Sequence, residues 1–135
     1  MSAGKITGGI IALIGGAFVA IACLIVIESV FESGSIIFII NWLINILVAV
    51  LAIVGGALGI ASKGGAGGLA LAAGIIAIIC PIIGWVSENL VVMFILSQYS
   101  LINYLTGYGF IWILSIESFI MLVGGIVILA SPSDY

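Results

Sequence analysis

TGGIIALIGGAFVAIACLIVIE, residues 7–28, runs from Thr7 to Ile27 without a charged side chain. A helix needs about 20 predominantly apolar residues, each rising about 1.5 Å, to cross the hydrocarbon layer of a bilayer. This stretch is long enough, and three more follow at 36–61, 67–86 and 109–130. Hydrophobic residues make up 65% of the 135-residue chain and charged residues 5%. A soluble domain carries about a quarter of its residues as charges, so this inventory cannot furnish a water-facing surface. The runs are apolar all round and lack the alternation of a transmembrane barrel strand. They predict an all-α bundle of four transmembrane helices, with residues 1–135 forming a single integral membrane domain.

The first run has features of a secretory signal: Lys5 precedes it, and Ala20-Ile21-Ala22 before Cys23 mimics a cleavage site. The apolar residues continue to Ile27, which predicts a retained span. Lys5 and Lys63 flank spans on one side, while Glu28, Glu32 and Glu88 fall on the other. The positive-inside rule then places both termini in the cytoplasm, with the cell (plasma) membrane as the expected location. Cys23 and Cys80 lie inside apolar runs, where a thiol usually serves as a small hydrophobe. The chain has no His and no Arg, so no metal, cofactor or catalytic site is expected.

The two halves resemble each other. KITGGIIALIGGA (5–17) matches KGGAGGLALAAGI (63–75), and VGGALGIAS (54–62) matches VGGIVILAS (123–131). This pattern predicts two repeated helical hairpins related by an axis along the membrane normal. The loops within the hairpins differ. ESVFESGS (28–35) is short and acidic, whereas 88–108 is long and apolar, with Tyr99, Tyr104 and Tyr108 followed by Phe110 and Trp112. Rings of this kind settle at headgroup depth, so the segment, which includes Phe94, is expected to lie at the interface.

Small residues mark the expected helix contacts: Gly8, Ala12, Gly16 and Ala20 in the first span; Gly55, Gly56 and Gly59 in the second; Ala70 and Gly74 in the third; Gly124 and Gly125 in the fourth. Lipid tails are as apolar as leucine, so association relies on close backbone approach and van der Waals contact. Residues 65–70, GAGGLA, formally match a dinucleotide-binding fingerprint. No strand precedes them, and a tight turn explains the glycines.

Glu117, about eight residues into the fourth predicted span, is the one costly group. A charge at the bilayer centre costs about 2.5–3.5 kcal/mol on insertion scales. It shares a helical face with Met121, Gly124 and Ile128. Asn45 and Asn41 enter from the same side of the second span, so the three are expected to form an intramembrane polar cluster.

The order of span, short loop, span ending in GGALGIASK, glycine-rich turn, span, longer loop and span ending in GGIVILAS resembles a group of small four-span prokaryotic, often archaeal, membrane proteins. That resemblance implies topology alone. A weaker similarity is to rotary-ATPase proteolipids, which look duplicated and carry an acid in the fourth span, where Glu117 stands. In those proteins the loops within hairpins are polar or basic and cytoplasmic; here they are acidic and opposite the lysines. A claudin-like arrangement fails because the first outer loop has no cysteine pair. The residues point to a non-catalytic structural or accessory subunit that packs with other membrane subunits or as a homo-oligomer, with no nucleic-acid partner. The alternative is a proton or cation channel or transporter subunit that uses Glu117.

Overall fold

The computed structural model describes residues 3–61, 65–106, 111–112 and 116–131, with the backbone alone for 103, 104, 106, 111 and 112. Lys63, Tyr108 and Phe110 lie outside the described residues, as do the side chains of Tyr104 and Trp112. Helix α1 spans Ala3–Ser33, α2 Ile36–Ile60 and α3 Ala66–Val86. With 31, 25 and 21 residues, all three are long and apolar enough to cross a membrane. They mark the protein as membrane-embedded. After α3 come α4 (Leu90–Leu96), β1 (Gln98–Tyr99), α5 (Leu101–Thr106), β2 (Ile111–Trp112) and α6 (Ile116–Ala130).

Isoleucine and valine form these helices despite their modest helix propensity, because in lipid each segment must satisfy its own backbone. Where the ladders end, side chains take over. Ser33 Oγ donates to Val30 O at 2.6 Å, Ser87 Oγ to Gly84 O at 2.6 Å and Ser131 Oγ to Val127 O at 2.6 Å. Asn89 Oδ1 caps α4 by accepting from Val91 N at 2.9 Å and Val92 N at 3.4 Å. Gly34, between α1 and α2, has φ +66°, a left-handed conformation that a side chain would strain.

α1, α2, α3 and α6 form a closed ring in which each packs on the next and α6 returns to α1. Its interior is rich in small residues: Ala12, Ala22, Ala49, Ala52, Ala66, Ala70, Ala73 and Ala77 are fully buried, beside Val19, Val48, Met121 and Ile128. Large apolar side chains such as Ile14, Leu24, Leu47 and Ile79 point outward. This inversion of a soluble core fits a lipid surround, where burying leucine gains nothing and close backbone contact supplies the attraction.

Glycine is what permits that approach. A β-carbon on Gly9 would stand 2.6 Å from Gly56 O, and one on Gly56 would stand 2.6 Å from Gly9 O. Six further glycine contacts fall into matched pairs. Gly55 faces Ala66 O and Ala70 N of α3, as Gly124 faces Gly8 O and Ala12 N of α1. Gly56 faces Leu13 N, as Gly125 faces Leu71 N; Gly16 faces Ile53 N, as Gly74 faces Leu122 N. Gly59 meets Gly9 and Lys5, whereas Ala20 is only half-buried. Gly9, Gly15 and Gly67 also sit at contacts, although a four-residue spacing passes over them. Adjacent residues on an α-helix stand about 100° apart, so the two glycines of a doublet serve two neighbours: Gly8 and Gly15 meet α6, whereas Gly9 and Gly16 meet α2.

Two expectations are corrected here. The fourth helix was expected from residue 109, but β2 occupies Ile111–Trp112 and α6 begins at Ile116, giving 15 residues, or about 22 Å. The segment 88–108 was expected to lie at the interface. Of its parts, α4 has no buried residue, whereas Gln98 and Tyr99 are 1% and 3% exposed and Ser100 is fully buried. Tyr99 packs among Val19, Ala22, Val48, Ala49 and Met121, deep in the ring.

Gly56→Ala and Gly125→Ala are each expected to lower stability by about 1–3 kcal/mol, the usual cost of overpacking. Gly68→Ala is the control. A β-carbon there meets nothing within 4 Å, so the helix should hold or gain up to about 1 kcal/mol. Reversible unfolding in mixed micelles measures all three.

Candidate functional site

Chain at membrane depth that is neither helical nor part of a closed barrel leaves N–H and C=O groups without water to bond. Such chain is tolerated only inside protein or beside a wet cavity. Residues 97–100, together with the first N–H groups of α5, pose that problem. β1 pairs antiparallel with β2, Gln98 opposite Trp112 and Tyr99 opposite Ile111, but a two-residue ladder satisfies few groups. Side chains from α2 and α6 supply further partners.

Asn45, ten residues into α2 and fully buried, acts as a substitute strand. Its Nδ2 donates to Ser97 O at 3.1 Å, and its Oδ1 accepts from Tyr99 N at 3.0 Å. A second Nδ2 contact, to Asn41 O at 2.9 Å, holds the amide against its own helix. Asn41, one turn away, donates from Nδ2 to Ile95 O at 2.9 Å, Ser97 O at 2.7 Å and Ser97 Oγ at 3.3 Å. Both asparagines therefore converge on the Ser97 carbonyl. The expected hydrogen bond between Glu117 and an asparagine is not formed.

Glu117 holds the other end of the segment. It stands in the first turn of α6, not eight residues into a helix, and its Oε1 accepts from Ile102 N at 2.8 Å. Its backbone carbonyl lies 3.2 Å from the position a β-carbon would take on Gly15, near the middle of α1. The carboxyl thus sits at mid-depth, where the helix N-terminus favours a negative group. Glu117 Oε2 and the Gln98 Nε2 beside the clamp have no hydrogen-bond partner among the described residues.

Two further links bind the helices. Trp42 Nε1 donates to Cys23 O at 2.9 Å, and its ring meets Phe31 edge-on with centroids 5.4 Å apart. Lys5, buried near the opposite end of α1, donates to Ile128 O at 3.5 Å, close to the C-terminus of α6 where a cation is favoured. Cys23 and Cys80 are free thiols. Among the described residues no three His, Cys, Asp or Glu side chains gather as a metal site would require.

Sequence reasoning singled out Asn41, Asn45 and Glu117 but missed their partners, which are main-chain groups. The available signal was Gln98 and Ser100 inside an apolar run, polar residues that an inserted segment accommodates. The chain matches no protein-family model, no curated protein and no solved structure, so its function has to be argued from these residues.

Asn45→Ala is expected to cost about 1–3 kcal/mol, because it removes the side-chain acceptor of the Tyr99 amide, while Asn41 Nδ2 still donates to the Ser97 carbonyl. Glu117→Gln should unfold within about 1 kcal/mol of the wild type, because an amide oxygen still accepts from Ile102 N–H and only the helix-dipole contribution is lost. Glu117→Leu should lose about 1–3 kcal/mol. Denaturant unfolding of the three variants separates a hydrogen-bonding role from one that needs the charge.

Proposed function

We propose that this protein is a non-catalytic structural or accessory subunit of a membrane assembly. The observation that carries the reading is the use of its intramembrane polar groups: Asn41, Asn45 and Glu117 each hold backbone atoms of residues 95–102 inside the bundle. Side chains so engaged position a segment. They do not make a nucleophile and base pair, and the chain contains no His to complete one.

In this reading the chain crosses the bilayer four times, with α6 as the last crossing. The two hairpins are repeats. The matched contacts support this: Gly8, Ala12 and Leu13 take the positions that Ala66, Ala70 and Leu71 take, while Gly55 and Gly56 answer to Gly124 and Gly125. The lysines at 5 and 63 and the acids at 28, 32 and 88 favour cytoplasmic termini in the plasma membrane. Outward-facing apolar side chains meet lipid, other membrane subunits or further copies of the chain.

A second reading, a proton or cation path through Glu117 as in a proteolipid, is favoured by one observation, the unpartnered Oε2 in a buried carboxyl. Proteoliposomes distinguish the two. A scaffold gives no proton or monovalent-cation flux, either as wild type or as Glu117→Gln. Flux from the wild type that disappears in Glu117→Gln would establish the second reading. Topology has its own check, in a Cys23→Ala/Cys80→Ala background. Glu32→Cys should react with an impermeant thiol reagent outside intact cells and Ala61→Cys should not; the reverse pattern would invert the orientation.

A further inference from the structure

The outer half of α1 and the first turns of α2 do not close on each other. Val26 and Val30 of α1, Phe38 and Asn41 of α2, and Tyr99 of β1 line a pocket of about 250 Å³, with Ser29 and Ser33 completing the α1 side. Asn41 lies five residues from the start of α2, about 7–8 Å along the helix axis. At 31 residues α1 is about 46 Å long, enough to reach from headgroups to headgroups. The pocket, between Val26 and Ser33 near the end of α1, is therefore at the boundary between acyl chains and headgroups.

Three properties define what fits there. The walls are almost wholly apolar, with the polar groups of the buried Asn41 and Tyr99 among them. Asn41 engages its Nδ2 with Ile95 and Ser97, while no described group donates to its Oδ1. The pocket thus offers an acceptor and calls for a donor. The volume falls below the roughly 300–1,000 Å³ of sites that enclose a whole small molecule, so the occupant leaves most of its bulk outside, in the bilayer. The charge at this end is acidic. Glu28 and Glu32 are exposed on α1 and Glu88 is exposed before α4, whereas Lys5 is near the other end of α1 and the chain has no arginine.

We propose that this pocket is a binding site for a phospholipid with a primary ammonium headgroup. The ammonium donates to Asn41 Oδ1, the acidic end of the bundle favours its charge, and the adjoining chain rests on Val26, Val30 and Phe38. A choline headgroup has no N–H to donate, and an anionic glycerol headgroup meets unfavourable charge.

Native mass spectrometry of the full chain, equilibrated with equimolar ethanolamine, choline and glycerol phospholipids of identical acyl chains, tests this directly. The expected result is retention of the ethanolamine lipid about tenfold over the other two, the change that one charge-assisted hydrogen bond produces. Val26→Phe and Ser29→Trp fill the pocket without touching the asparagine bonds, and each should abolish the preference while the unfolding midpoint stays near that of the wild type. Equal retention of the three lipids would overturn the proposal, as would a preference that survives in two folded pocket-filling variants. A dimer in place of lipid adducts, lost on Ser29→Trp, would also overturn it by assigning the pocket to a second copy.

Discussion

The amide of Asn45, donating to Ser97 O and accepting from Tyr99 N–H, is the interaction on which the half of the molecule around the α1 C-terminus depends. Helices satisfy their own main chain and can be placed in lipid wherever packing allows. The segment after α4 cannot, and it is nonetheless buried at the level of Val48 and Ala49. Asn45 and Asn41 secure its entry and Glu117 secures Ile102 further along. In this account the residues most costly to place in a membrane repay that cost by satisfying backbone that would be more costly to leave bare.

The ring of helices provides the rigid frame this requires. In the half around the α1 N-terminus, pairs such as Gly9 with Gly56 and Gly8 with Gly124 bring backbones into contact, leaving no room for a methyl group. In the other half α6 begins at Ile116, and β1 and α5 occupy space within the frame. The frame is thus closely packed near the α1 N-terminus, and its elements diverge from a plain four-helix ring toward the other side. The divergence accounts for Glu117 being at mid-depth and also at the start of a helix. α2 at the corresponding level continues as uninterrupted helix, with Val48 in the core.

The three long helices were legible because hydrophobic length alone decides them, and the packing faces because glycine recurs at helical spacing. The doublets exposed the limit of that reading: a stripe of every fourth residue through Gly8, Ala12 and Gly16 passed over Gly9 and Gly15, although Gly8 and Gly15 meet α6 while Gly9 and Gly16 meet α2. The inserted segment was not legible from hydropathy, since Leu90–Leu96 and Ile111–Trp112 are as apolar as any span. What separates them from a span is where their polar partners lie. Asn41, Asn45 and Glu117 stood out by their cost, but a sequence read for side-chain pairs assigns them to one another, whereas the molecule assigns them to the main chain.

Amide hydrogen exchange at Tyr99 and Ile102 in the wild-type protein tests the central claim most directly, because these are the two N–H groups that Asn45 and Glu117 hold. The account predicts protection comparable to that of the buried α2 core around Val48 and Ala49. Rapid exchange at both amides, with α2 still protected, would show that the segment does not reside where its clamp requires it and would contradict the account.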